Sequence, residues 1–247
     1  MNFVLVHGSF HGAWCWEHLI PLLEARGHNV VAPNLPGSSI DPAPWENANL
    51  ESYATRIAAT IDSMPDPVIL VGHSMGGIVS SQTAEWRARR LKAVVYVNGL
   101  LLLSGETLVG FLDAHRHLGV EDLVLKNMSV SADGTCAVFP RRAAIDVFYN
   151  TSRADHAEAA AARLRAQPMQ IYQDPLVLTP QRFGRVRRFY IEGLQDRAAS
   201  IVYQRVMTAR TPCERIYTLD CDHSPFLSER AAMADILDEI ATTTAAA

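Results

Sequence analysis

The 247-residue sequence predicts an α/β fold: a mostly parallel six-stranded sheet flanked by helices, with a helical cap inserted after the fourth strand. Three observations carry this. Short apolar, β-branched-rich runs recur at residues 3–7, 29–33, 68–72, 93–98, 187–192 and 215–219, and helical patterns separate most of them. Strands alternating with helices imply a parallel sheet covered on both faces. The alternation breaks between about residues 100 and 184 and then resumes, so the intervening stretch is an insertion whose natural place is over the strand ends. Residues 68–77 read VILVGHSMGG, an apolar strand running into a glycine-rich turn and a helix.

Each element has its own signal. The chain enters a strand at once, and residues 7–12, HGSFHG, form the loop after it. Residues 18–26 carry Leu19, Ile20, Leu22 and Leu23 at helical positions, and Gly27 ends that helix. Residues 50–64 repeat Tyr53, Ile57, Ile61 and Met64 at helical spacing, with Asn49 as N-cap. Ile78 to Trp86 continue helically after the third strand. Residues 157–165, nearly all Ala, Arg and Leu, form a helix within the cap. Ser228 caps a final helix that turns Ala232, Ile236, Leu237 and Ile240 inward. The core therefore comprises residues 1–99 and 185–241, the cap residues 100–184, and residues 242–247 a disordered tail.

Composition narrows the class. Hydrophobic residues make up 49% and charged residues 19%, enough for a large core and too little charge for a disordered chain. The net charge of −4 is mild, and Arg87, Arg89 and Arg90 read as the basic end of a helix, so no nucleic-acid partner is expected. No apolar run is long enough to span a bilayer, and no basic leader precedes the first strand, so the expectation is a cytoplasmic protein without a membrane partner. Four cysteines without C-x-x-C spacing read as reduced thiols. Cys221 and His223 lack the further ligands a metal needs, and the His7/His11 and His115/His117 pairs lie outside metal-binding contexts, so no metal is expected.

The chemistry resides at Gly72-His73-Ser74-Met75-Gly76, which fits G-x-S-x-G. Glycine and serine frequencies give about 0.1 chance matches in a chain this long. Strand before and helix after make it a nucleophile elbow, with Ser74 on a strained turn in front of a helix N-terminus. A serine hydroxyl needs a base, and His223 in the loop after the last strand supplies it. An acid must orient that imidazole. Asp196, just after the fifth strand, has the strand-end position expected of the acid, whereas Asp220 and Asp222 stand too close to His223 in sequence for a well-directed Nδ1 contact and Glu192 lies within its strand. Two backbone N–H groups, of Ser9 and Met75, form the oxyanion hole. Gly8, Phe10, His11, His73, Leu101, Phe139, Ser224 and Phe226 are the candidate substrate contacts, together with Phe111 and Met169.

On these residues the chain resembles the α/β-hydrolase superfamily, within it the plant methylesterases and hydroxynitrile lyases and their bacterial esterase relatives. The resemblance runs through residues 3–16, 21–28, 68–77 and 195–198 and Asp222-His223. It implies a Ser74, Asp196, His223 triad and no cofactor. Lyases that resemble the rubber-tree enzyme have a threonine where this chain has Gly8 and a lysine where it has Ser224, so both positions here are esterase-like. Asn34 stands where the superfamily often has Asp. The expected activity is hydrolysis of a small, rather apolar carboxylic ester (methyl, aryl or pyrethroid-like) through an acyl-enzyme. A lyase using the same triad and a non-catalytic small-molecule receptor are the alternatives. The expected partner is that small ester alone, and a homodimer is compatible with the sequence.

Overall fold

The computed structural model describes residues 1–38, 47–65 and 67–245. The first half of the chain builds β1 (Asn2–Val6), α1 (Ile20–Glu24), β2 (Asn29–Val31), α2 (Leu50–Ser63), β3 (Val68–His73), α3 (Gly76–Arg87) and β4 (Leu91–Val97). Then come α4 (Leu108–Ala114), α5 (Leu123–Asn127), β5 (Ser129–Val130), β6 (Cys136–Val138), α6 (Arg141–Phe148), α7 (Ala154–Ala161) and β7 (Gln167–Pro168). The chain closes with β8 (Arg187–Gly193), α8 (Ile201–Arg210), β9 (Arg215–Leu219), α9 (Pro225–Ser228) and α10 (Arg230–Ala245).

Six strands form one parallel sheet in the order β2-β1-β3-β4-β8-β9. The order reverses direction between β1 and β3, where a crevice opens at the carboxyl ends of the strands. Successive residues serve opposite faces. Phe3, Leu5, Ile69, Val71, Val95 and Val97 pack with Trp16, Leu237 and Ile240 on one side. Val4, Val6, Leu70, Val94 and Tyr96 pack with Ile57, Ile61 and Ile78 on the other. Burial on both faces is why these strands are apolar runs rather than alternating ones. Each such side chain contributes about 1.5–3 kcal/mol.

The α2 start is a capping box: Asn49 Oδ1 accepts from Ser52 N at 2.8 Å and Ser52 Oγ accepts from Asn49 N at 3.1 Å. Gly27 ends the α1 segment at φ +81°, a conformation other residues disfavour. Two expectations at the carboxyl end need correction. Ser228 does not cap the last helix; it is the last residue of α9, and its hydroxyl donates to Asp222 Oδ1 at 2.9 Å. Residues 242–245, expected to be disordered, continue α10, and Thr244 is buried with its hydroxyl on Ile240 O at 2.8 Å. Four alanines and threonines suffice once an apolar face has docked, because packing rather than composition stabilises the last turn. Residues 246–247 lie outside the described residues.

The segment between β4 and β8 is not wholly helical. It includes a small antiparallel sheet in the order β5-β6-β7, whose strands are two or three residues long. Runs this short leave no periodic trace in a sequence. Buried polar groups of α3 fasten this segment to the core: Glu85 carboxylate oxygens accept from Thr179 N and Thr179 Oγ1, both at 2.8 Å, and Gln82 Oε1 accepts from Val177 N at 3.0 Å. Among the described residues no helix is long and apolar enough to cross a membrane.

Candidate active site

From Val68 to Glu85 every residue is buried except Ser74. The chain leaves β3 and enters α3 at this point, and Ser74 turns the corner at φ +53°. A non-glycine residue there is strained by about 1–3 kcal/mol, a cost seen where surroundings over-determine the backbone. The surroundings do so: Ser74 N donates to Val97 O at 3.2 Å, and Ser74 O accepts from Gly77 N at 2.9 Å and Leu100 N at 3.0 Å. The flanking glycines are a packing requirement. A Cβ on Gly72 would lie 2.5 Å from Gly76 O, and one on Gly76 would lie 2.6 Å from Val6 O. The sharp turn thus brings backbone against backbone and leaves the Ser74 side chain as the group facing outward.

His223 follows β9. Its Nδ1–H donates to Asp196 Oδ2 at 2.8 Å, with both side chains buried. Asp196 follows β8 and is held by four further donors. Oδ1 accepts from Ala198 N and Ala199 N, each at 2.8 Å. Oδ2 also accepts from Asn98 Nδ2 at 2.8 Å and Gln204 Nε2 at 3.1 Å. The rival acids are engaged elsewhere. Asp222 Oδ2 accepts from Thr151 N and Ser152 Oγ, and its Oδ1 accepts from Ser224 N. Asp220 accepts from Gln195 Nε2 at 3.0 Å.

Asn98 and Gln204 carry no signal in the sequence. Asn98 sits at the end of β4 with φ +45°, and Gln204 sits in α8, so only the sheet order brings them to Asp196. His73 is likewise structural. Its Nε2–H donates to the His223 carbonyl at 2.8 Å and holds the backbone of that residue. Burial, with His223 and His11 nearby, pushes the His73 pKa well below its ordinary value. Burial also pulls His7 down to about 4 and His11 down to about 3. Each of these two rings donates at Nδ1 to a carbonyl and accepts at Nε2, which fixes it as neutral: His7 between Gly8 O and Leu35 N, His11 between Ser9 O and Tyr149 OH.

The loop after β1 runs beside the elbow. A Cβ on Gly8 would lie 2.7 Å from Ser74 Cβ and 2.8 Å from His73 Nδ1, so this position has no room for a larger residue without movement. Among the described residues neither Ser9 N nor Met75 N has a hydrogen-bond partner. Phe10 holds φ +63°, its N–H donating to Gln167 Oε1 at 3.2 Å and its carbonyl accepting from Arg165 N at 3.0 Å. Ala13 N donates to Asn34 Oδ1 at 2.8 Å, which gives Asn34 a loop-anchoring contact.

Ser74, His223, Ser9 and Phe10 line one cavity of about 360 Å³. Its other walls are mostly apolar: Leu108, Phe111, Leu112 and Leu125, with Met128, Phe148, Met169 and Tyr203. Ser74 and His223 make no direct hydrogen bond, a contact that often tightens only around substrate. Of the expected substrate contacts, Phe10, Phe111 and Met169 line the cavity. Gly8, His11, His73, Leu101, Phe139, Ser224 and Phe226 do not. Leu101 is buried in the core on one face of the sheet. Phe139 packs behind Phe10 and Phe148 at ring separations of 5.4 and 4.5 Å. His11, His73 and Phe226 meet edge to face, and Ser224 is fully buried. His73, Ser224 and Phe226 adjoin Ser74 or His223 along the chain, but the sequence does not show which side of the backbone they occupy. Among the described residues no group of three or more His, Cys, Asp or Glu side chains could hold a metal ion, and the four cysteines are free thiols.

Comparison with known proteins places these features in context. The model of the alpha/beta hydrolase family matches residues 3–236. Methylesterase 7 of Arabidopsis thaliana is 30% identical over 250 residues, covering 97% of this chain and 96% of that protein. The alpha-hydroxynitrile lyase of the same plant is 29% identical, covering 98% and 97%. Chloroplastic relatives in the methylesterase series, 28% to 31% identical, are longer: the chain spans 56% to 64% of their length. A crystal structure of tomato methylketone synthase I complexed with 2-tridecanone is 26% identical with a TM-score of 0.86, covering 98% of each chain.

Proposed function

Because the chain belongs to the alpha/beta hydrolase family, we propose that it is a serine carboxylesterase acting on a small, rather apolar carboxylic ester. The observation that carries this reading is the Asp196–His223 hydrogen bond at 2.8 Å, opening onto the same apolar cavity as the strained, outward-facing Ser74. Residues 100–184 serve as the cap that shapes this cavity and excludes water from it. The methylesterase relative supports an ester as substrate.

In this reading Ser74 Oγ bonds to the ester carbonyl carbon, and its proton passes to His223 Nε2. The carbonyl electron pair moves onto oxygen, where Ser9 N–H and Met75 N–H receive the charge. Collapse of the tetrahedral intermediate breaks the C–O bond, and His223 returns the proton to the departing alkoxide. Water then attacks the acyl-Ser74 ester by the same route, releasing the acid. Asp196 keeps the proton on His223 Nδ1 and stabilises the imidazolium. Gly8 and Ser224 weigh against a lyase of the rubber-tree kind, which has a threonine and a lysine at these positions. Turnover of short p-nitrophenyl and methyl esters tests the reading. Ser74→Ala should lower turnover on the order of a million-fold, and a variant as active as the parent would refute it.

A further inference from the structure

The Ser9 hydroxyl is a polar side chain at the reacting end of the cavity that the scheme above leaves unused. Tyr172 OH donates to Ser9 Oγ at 2.6 Å. A hydroxyl that accepts one hydrogen bond keeps its own proton to donate, and among the described residues that proton has no acceptor. Ser9 lines the cavity beside Ser74 and His223. Its backbone N–H has no partner there either. The residue therefore offers two donors, one backbone and one side chain, close enough on one residue to converge on a single acceptor.

Resting on the esterase reading, we infer that Ser9 contributes both donors to the oxyanion, its hydroxyl being a third one beside Ser9 N–H and Met75 N–H. Ser9 is then a catalytic residue through its side chain, and Tyr172 a positioning residue that acts through it. As Ser74 Oγ bonds to the carbonyl carbon and charge collects on oxygen, the Ser9 O–H shortens its contact to that oxygen and no covalent bond changes at Ser9. Tyr172 does two things. It fixes the rotamer of the Ser9 hydroxyl, and by donating into Ser9 Oγ it polarises the O–H so that it donates more strongly. Burial raises the Tyr172 pKa, so the phenol keeps the proton it donates. The backbone beneath is held in place: Ser9 O accepts from His11 Nδ1 at 2.7 Å, and the next residue is tied to Gln167 and Arg165. Donors fixed before the reaction stabilise the transition state most, since nothing has to reorient.

Two other roles would leave different traces. A mere latch between cap and loop would make Ser9→Ala and Tyr172→Phe equivalent, because both delete the same hydrogen bond. A contact to the substrate ground state would change KM and leave kcat alone. The experiment is steady-state hydrolysis of p-nitrophenyl butyrate by the parent chain, Ser9→Ala, Ser9→Thr, Tyr172→Phe and the double variant Ser9→Ala/Tyr172→Phe, with a thermal melt of each. The expected result is a kcat loss of about tenfold to a hundredfold for Ser9→Ala at nearly constant KM. Ser9→Thr should recover most of it. Tyr172→Phe should lose less than Ser9→Ala and add nothing to it in the double variant. Equal losses for the two single variants, a loss confined to KM, or an unchanged kcat in Ser9→Ala would overturn the inference while leaving the esterase reading intact. A parent chain inert toward the ester would refute the esterase reading itself, and the inference with it.

Discussion

The floor of the cavity and the wall that the cap lays over it differ in what holds each side chain in place. On the floor, Asp196 takes five hydrogen bonds, His223 is gripped at both its ring and its carbonyl, and Ser74 is pinned by three backbone contacts. These groups stand at strand ends or in a helix packed on the sheet. The wall is made by short helices, and beside the buried Phe111 and Phe148 it includes side chains half in water: Val109 is 54% exposed and Leu125 51% exposed although both line the cavity. Chemistry tolerates little displacement, whereas an apolar wall needs only volume and low polarity. Substitutions on the floor should therefore act steeply on turnover, and those on the wall shallowly on substrate affinity.

Among substitutions that leave the Ser74 nucleophile in place, the steepest expected effect is at Asp196. Asp196→Asn keeps the shape but reverses the preferred tautomer of His223, and kcat for an ester should fall about 10⁴-fold. The amide NH2 faces donors that now meet a carboxylate oxygen, so the melting point should fall as well. A loss under tenfold would place the orienting role elsewhere.

Next comes the joint between the two regions. Asp222 accepts from Thr151 N and Ser152 Oγ of the cap and from Ser224 N and Ser228 Oγ beside His223. Asp222→Ala leaves buried donors unmatched and should lower stability by about 3 kcal/mol, read from the urea midpoint. A midpoint unchanged from the parent would mean that the Asp222 contacts contribute nothing to the joint between cap and floor.

Acid should weaken the floor before the wall. His7 and His11 have ordinary pKa values near 6.5, lowered in the fold to about 4 and about 3. Between those values the unfolded chain binds protons that the folded chain refuses. Stability is thus complete above about pH 6.5 and falls as pH drops toward the folded values, by up to about 1.4 kcal/mol per pH unit for each ring. Urea midpoints from pH 7.5 to 4 read this slope, and His11→Gln should flatten it. An equal slope in that variant would remove His11 from the acid sensitivity and leave it to the other buried histidines, His7 and His73.

The smallest effect belongs to the wall. Leu125→Ala, half exposed, removes about 1 kcal/mol of apolar contact or less. KM for an apolar ester should rise a few-fold at constant kcat, and a large kcat loss instead would erase the distinction between the two regions.

The same division governs what the sequence reveals. Both-face burial prints the strands as apolar runs, and the elbow prints its glycines because backbone meets backbone at Gly72 and Gly76. Asn49, Ser52 and Gly27 mark helix ends by local chemistry. Asn98 and Gln204 leave no local mark, because their partner Asp196 is distant in sequence and reached through the sheet order. The Tyr172–Ser9 contact spans 163 residues for the same reason. In the cap, two- and three-residue strands are too short for any period. Expected pocket contacts such as Ser224 and Phe226 are legible as chain neighbours of His223 but not as lying outside the cavity lining, since side-chain direction in a loop follows the fold rather than spacing.

The most direct test of the whole account is covalent capture. A fluorophosphonate ester, whose attack by an activated serine leaves a tetrahedral phosphorus adduct, should add once to the protein, and peptide mass mapping should find the adduct on Ser74. Asp196→Asn should label far more slowly and Ser74→Ala not at all. No adduct, or one on another side chain that forms equally in Ser74→Ala, would contradict an activated serine at that turn.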